Sequence, residues 1–206
     1  MLRISDALHR ADCAANGVEF KPVYGRSATA ALGRSPHWEK CWLLYQALLA
    51  LPANGLAVWT DADVLKISRD DWRAALPAKA ELGMVRSESC GMLNAGVIVA
   101  RNTPRVRELF DASWARGPEH AAAKTKPYHD QPVINALLKE EFKGLDVVEL
   151  DGRWNWYQPR PWDNGELPAA VVLGWHGLPR ETARRRMCEA AFKLTQDESY
   201  LRRATT

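Results

Sequence analysis

"LAVWTDADVLKI", residues 56–67, sets an apolar run against two carboxylates. Leu56 to Thr60 read as a buried strand, and Asp61 and Asp63 stand where it ends. Side chains alternate along an extended chain, so positions two apart point the same way. Asp61 and Asp63 are therefore expected side by side at the end of a core strand. Like charges that close repel each other unless something positive lies between them. The pattern asks for a cation.

Working outward, strands and helices alternate along the chain. Upstream, residues 3–16 read as a helix stopped by Asn16-Gly17, followed by a short strand in "VEFKPVY" (18–24) and a Gly-, Ser- and Ala-rich loop over 25–35. Ser35 as N-cap and Pro36 at the first helical position open a helix to about Leu51, with Trp38, Trp42, Tyr45 and Leu49 on one side. Downstream come a short helix near 70–76, a strand at "ELGMVRS" (81–87), and "LNAGVIVARN" (93–102) as a turn feeding a strand. Thr103-Pro104 starts a helix to about Arg116, a loop spans 117–128, and a helix covers 131–141. Strands at "LDVVEL" (145–150) and "AAVVLGW" (169–175) flank a Trp- and Pro-rich connection, and a last helix covers about 180–194. The expected fold is one α/β domain over residues 1–206, a mixed, mostly parallel sheet with helices on both faces.

Composition narrows the function classes. The chain has 206 residues, 47% hydrophobic and 26% charged, the balance of an ordinary globular core. No apolar run approaches the roughly 18 residues of a membrane span, and Asp6, His9, Arg10 and Asp12 break any signal-peptide pattern. Cys13, Cys41, Cys90 and Cys188 show no CxxC pairing, so reduced thiols, a cytoplasmic location and no zinc site are expected. A net charge of +3 does not argue for a nucleic-acid partner. The late cluster of Arg180, Arg184, Arg185, Arg186 and Lys193 reads as a solvated helix face, or else as a contact for phosphate or an anionic surface. Nine tryptophans exceed the four Phe and the five Tyr. Trp154, Trp156 and Trp162 fall in the Pro- and Asn-rich stretch, where rings can stack on sugars or bases.

Four constellations carry chemistry. Ligands of open α/β sheets bind at the carboxyl ends of strands. Asp61 and Asp63 there suit a hard divalent ion such as Mg²⁺ or Mn²⁺, although a capping Asp beside a surface Asp has the same spelling. "VVLGWHG" (171–177) repeats the design, with His176 as a nitrogen ligand or a structural histidine, and Gly177 allowing close approach of backbone to phosphate. Asn94-Ala95-Gly96 is expected to form a tight turn with its amides facing the cleft, or simply a bend into a strand. Asp130 precedes a helix, where it either caps free amides or faces a reacting centre.

Taken in order, "PHWEKCWLL", "VWTDADVL", "LNAGVIVARNTP", "HDQPVINALL" and "GWHGLP" resemble the GT-A-type glycosyltransferases, closest to the galactosyl, mannosyl and xylosyl transferase group. The resemblance covers about residues 34–180. It implies a nucleotide-diphospho-sugar donor and a Mn²⁺ or Mg²⁺ ion between the pyrophosphate and the DxD motif. It also implies an acceptor of unknown kind, whether glycan, protein or small molecule. By position, Asp63 would be the main metal ligand, Asp61 would touch ribose or metal, and His176 would be the later metal ligand beside Gly177. Lys40 would lie near the donor, Asn94, Ala95 and Gly96 would line the sugar and acceptor site, and Asp130 with Gln131 would face the anomeric carbon. The family's first, base-binding strand is expected to be missing here. Two other classes compete. A haloacid-dehalogenase-type phosphotransferase expects Thr or Val where Leu65 stands, and a degenerate, non-catalytic binding module would keep the fold without turnover.

Overall fold

The computed structural model describes residues 2–23, 28–120, 130–157, 172–174 and 179–196. They gather into two compact units, Met1–Val23 with Thr60–Asp71 and Asp151–Thr206, and Tyr24–Trp59 with Trp72–Leu150.

The first unit begins with α1 (Leu2–Ala15). Ser5, His9 and Cys13, four residues apart, are its buried side, and the helix ends at Gly17, whose φ is +61°. Its sheet has the order β2-β7-β6, built from β2 (Val64–Lys66), β6 (Trp156–Tyr157) and β7 (Val172–Gly174). β2 runs antiparallel and β6 parallel to β7. Lys66, its side chain 1% exposed, places Nζ 2.6 Å from Asp12 Oδ1, and His9 Nε2 accepts the Lys66 amide at 3.1 Å. These bonds tie α1 to β2. The last helix, α6 (Arg180–Thr195), buries Ala183, Met187, Cys188, Ala190 and Ala191 and packs on α1.

The second unit holds the larger core. A short α2 (Ala28–Ala31) precedes a 3₁₀ turn at Pro36–Trp38, which runs into α3 (Glu39–Ala50). The sheet order is β1-β4-β3-β5, with β1 (Leu56–Thr60), β3 (Leu82–Arg86), β4 (Leu93–Arg101) and β5 (Val147–Leu150). β3 pairs antiparallel with β4 and parallel with β5. α4 (Pro104–Arg116) packs between α3 and α5 (Gln131–Glu140). Their buried residues, among them Leu44, Leu48, Leu109, Phe110, Ile134 and Leu137, close over Met84, Ile98 and Ala100 of the sheet. Each such large side chain stabilises by about 1.5–3 kcal/mol against exposure. The mixed α/β architecture, a partly parallel open sheet flanked by helices, is the expected class.

Several expectations give way. Residues 18–23 form no strand, and 28–31 are helical where a loop was expected. Residues 2–5 lie in α1, so no strand forms there. Ser35 is extended at the N-cap position and Pro36 starts a turn, but the Ser35 hydroxyl makes no capping bond. The buried side of α3 is Cys41, Leu44 and Leu48, with Trp38 preceding it, whereas Leu49 is 51% exposed. Apolar residues surround almost all of that helix, so periodicity alone cannot choose its inner side. Trp154 is 4% exposed inside a 3₁₀ turn at Gly152–Asn155, a core residue rather than a stacking ring, while Trp156 is exposed. Trp162 lies outside the described residues.

Candidate active site

β1 ends at Thr60, and the chain then turns: the Asp61 carbonyl accepts the Val64 amide at 3.1 Å before β2 begins. Ala62 and Asp63 belong to that turn, so strand alternation does not extend to Asp63 and does not by itself place it beside Asp61. Both carboxylates are half-buried. Among the described residues no three His, Cys, Asp or Glu side chains gather as a metal cage. His176 and Gly177 lie outside the described residues.

Four of the expected site residues meet in the second unit. Lys40 Nζ lies 3.0 Å from Asp130 Oδ2, and both side chains are 5% exposed. The same ammonium donates to the Ala95 carbonyl at 2.9 Å. Gln131 Oε1 accepts the Ala95 amide at 3.2 Å, and Gln131 Nε2 donates to Cys90 Sγ at 3.6 Å. Asp130 stands at the N-cap of α5, yet its side chain makes no capping bond, and Oδ2 is buried without a directed hydrogen bond. What holds the carboxylate is charge: Lys40 beside it and the positive end of α5 behind it. The capping role is thereby set aside.

Asn94-Ala95-Gly96 is not a tight turn. The three residues lie inside β4, opposite a register shift between Met84 and Arg86 of β3. The preceding turn is at 87–91, where the Gly91 amide donates to the Ser87 carbonyl and Gly91 has φ +70°. Nor do the amides of Ala95 and Gly96 face a cleft, because Gln131 takes that of Ala95 and Asn94 Oδ1 takes that of Gly96 at 2.7 Å. A distorted strand leaves backbone groups without ladder partners, and side chains of α3 and α5 supply them.

Three further residues belong to this cluster. His37 Nδ1 is 4.0 Å from Asp130 Oδ1, one helical turn before Lys40. Asn135, one turn after Gln131, brackets Leu93: its Oδ1 accepts the Leu93 amide and its Nδ2 donates to the Leu93 carbonyl, both at 2.9 Å. Both spacings were visible in the sequence. Cys41 was not signalled; burial pushes its thiol up, and the Asp130 charge adds to that.

No protein-family model and no curated protein matches the chain. Solved structures do. A glycosyltransferase involved in the glycosylation of the major capsid of PBCV-1 superposes with a TM-score of 0.65 at 16% identity, covering 90% of this chain and 91% of that one. The glycosyltransferase GlyE of Streptococcus pneumoniae gives 0.47 at 16% identity over 77% of this chain and 44% of its own. Mouse xyloside xylosyltransferase 1 gives 0.43 at 16% identity over 86% and 74%. The PBCV-1 superposition, spanning nine-tenths of both chains, establishes the architecture: this chain has the GT-A-like fold of a glycosyltransferase.

Proposed function

We propose that residues 1–206 act as one glycosyltransferase domain, moving a sugar from a nucleotide-diphospho-sugar donor to a glycan, protein or small-molecule acceptor. The observation that carries this reading is the buried Lys40–Asp130 pair, fixed against Ala95 and Gln131 in a chain of glycosyltransferase fold. A carboxylate anchored by a lysine that is itself anchored is preorganised, and a preorganised charge acts on a reacting centre without reorganisation cost. Asp130 and Gln131 would face the anomeric carbon, Lys40 would hold Asp130 and approach the donor, and Asn94, Ala95 and Gly96 would shape the sugar pocket.

Asp61 and Asp63, half-buried hard-oxygen donors in one turn, suit Mn²⁺ or Mg²⁺, with His176 as the nitrogen ligand that favours Mn²⁺. When bound, such an ion neutralises charge building on a departing nucleoside diphosphate. Gly177 would let backbone approach the phosphates.

Calorimetry with Mn²⁺ and a panel of UDP- and GDP-sugars, followed by turnover assays, tests the proposal. Asp63→Ala should abolish metal-dependent donor binding. Asp130→Asn should retain binding while turnover falls by roughly a hundredfold or more, as when a charge acting mainly in the transition state is lost. Donor binding without turnover in the wild type would make the chain a binding module instead.

A further inference from the structure

Leu93 and Ala95 lie two apart at the start of β4, so their backbone groups face the same edge of the strand. On α5, Gln131 and Asn135 lie four apart and project from one side of the helix. Two strand residues span about 6.6 Å and four helix residues about 6 Å. The two repeats match, and the side chains use the match. Asn135 brackets Leu93 at its amide and its carbonyl, each at 2.9 Å, and Gln131 Oε1 takes the Ala95 amide at 3.2 Å. A helix thus stands in for a neighbouring strand, close to the register shift in β3.

Local propensity does not explain Asn135. Inside a helix Asn is worse than Ala, because its carboxamide competes with the backbone. Here that carboxamide bonds across to β4, and Nδ2 also donates to the Gln131 carbonyl of its own helix at 2.9 Å, which fixes its direction. Leu93 is 9% exposed, so removing Asn135 would strand a buried amide and a buried carbonyl.

The consequence reaches the candidate site two residues on. Ala95 is held at its amide by Gln131 and at its carbonyl by Lys40, 2.9 Å away, while Lys40 pairs with Asp130. Gln131 is oriented in turn by its bond to Cys90 Sγ. Asp130 and Gln131 are neighbours in the chain, so these contacts close a ring through Ala95. The ring closes only where β4 stands at the right height along α5, and Asn135 sets that height at Leu93.

We infer that Asn135 is a positioning residue: it registers β4 on α5 and thereby holds Ala95 where Lys40, Asp130 and Gln131 meet. For turnover the proposal rests on the transferase reading; for Ala95 it rests on these contacts alone.

Two variants of the full chain test it. Asn135→Ala removes every bond of the side chain, whereas Asn135→Ser can still bond the Gln131 carbonyl within the helix and is too short to bracket Leu93. Amide hydrogen exchange followed by NMR, without nucleotide, should quicken about tenfold at Leu93 and also at Ala95 in both variants, the factor that one lost hydrogen bond brings. Ala95 makes no bond to Asn135, so its response reports positioning. Hydrolysis of whichever UDP- or GDP-sugar of the panel the wild type turns over should fall roughly tenfold to a hundredfold in kcat, with donor binding by calorimetry unchanged. Melting temperatures verify that both variants are folded at the assay temperature. Faster exchange confined to Leu93, an unchanged kcat, a loss of donor binding in step with kcat, or wild-type behaviour of Asn135→Ser would each overturn the inference. A wild type that hydrolyses no donor rejects the transferase reading, and exchange at Ala95 then decides the positioning role by itself.

Discussion

At the scale of the residue, the Lys40–Asp130 pair carries the most consequence. Both groups are buried, and the pair replaces the capping bond that Asp130 could have made. A desolvated charge left alone is costly, whereas an apolar pair of similar size often is not. Lys40→Met should therefore lower stability by about 3–5 kcal/mol, and the double variant Lys40→Met, Asp130→Leu should regain most of it. Urea titrations of the wild type and the two variants decide the matter. A single-variant cost below about 1 kcal/mol would mark the pair as solvated. The sequence named both partners but could not say that they meet, since 90 residues separate them and no local rule links them.

At the scale of the element, helix starts were readable and helix faces were not. Thr103-Pro104 opens α4 as expected, with the Thr103 hydroxyl accepting the Val106 amide at 3.3 Å. Ser35-Pro36 has the same spelling and opens a 3₁₀ turn without the side-chain bond. Gly117, at the end of α4, has an ordinary φ of −54°, so its glycine is not required by backbone conformation. The requirement is steric: a Cβ there would lie 2.2 Å from Trp38 Cζ3, and Trp38 is itself 2% exposed. Gly117→Ala should cost about 1–3 kcal/mol by overpacking, read as a lowered denaturation midpoint with unchanged slope. An Ala variant as stable as the wild type would mean that the Trp38 ring can shift freely.

At the scale of the whole molecule, acid sensitivity follows from one histidine. Burial lowers the pKa of His9 to about 4, and Lys66 adds to this against the opposing pull of Asp12 and Asp6. Because the folded-state value is depressed, the unfolded chain binds the extra proton first as pH falls below about 6.5. Stability contributed by neutral His9 is thus present above that pH, declines as pH falls, and is gone below about 4, a loss of about 3 kcal/mol. His9→Gln keeps an acceptor for the Lys66 amide and removes the titration, so its stability from pH 7 to pH 4 should fall less steeply by that amount. Parallel curves for variant and wild type would contradict the assignment.

By itself the sequence determined the alternation of helices and strands, most element limits to within a residue or two, and the identity of the residues now found together at Lys40, Ala95, Asp130 and Gln131. The alternation and the limits follow from local chemistry, namely cap residues, proline at helix starts, and apolar runs ended by polar ones, whereas Lys40 and Gln131 were singled out by the family resemblance. Only the tertiary structure decided which side of α3 is buried, that Asn94-Ala95-Gly96 is a distorted strand bound by side chains, and that Asp130 pairs with Lys40 instead of making a capping hydrogen bond to its own helix. Those outcomes depend on partners distant in the chain, and burial rather than local propensity sets their energies.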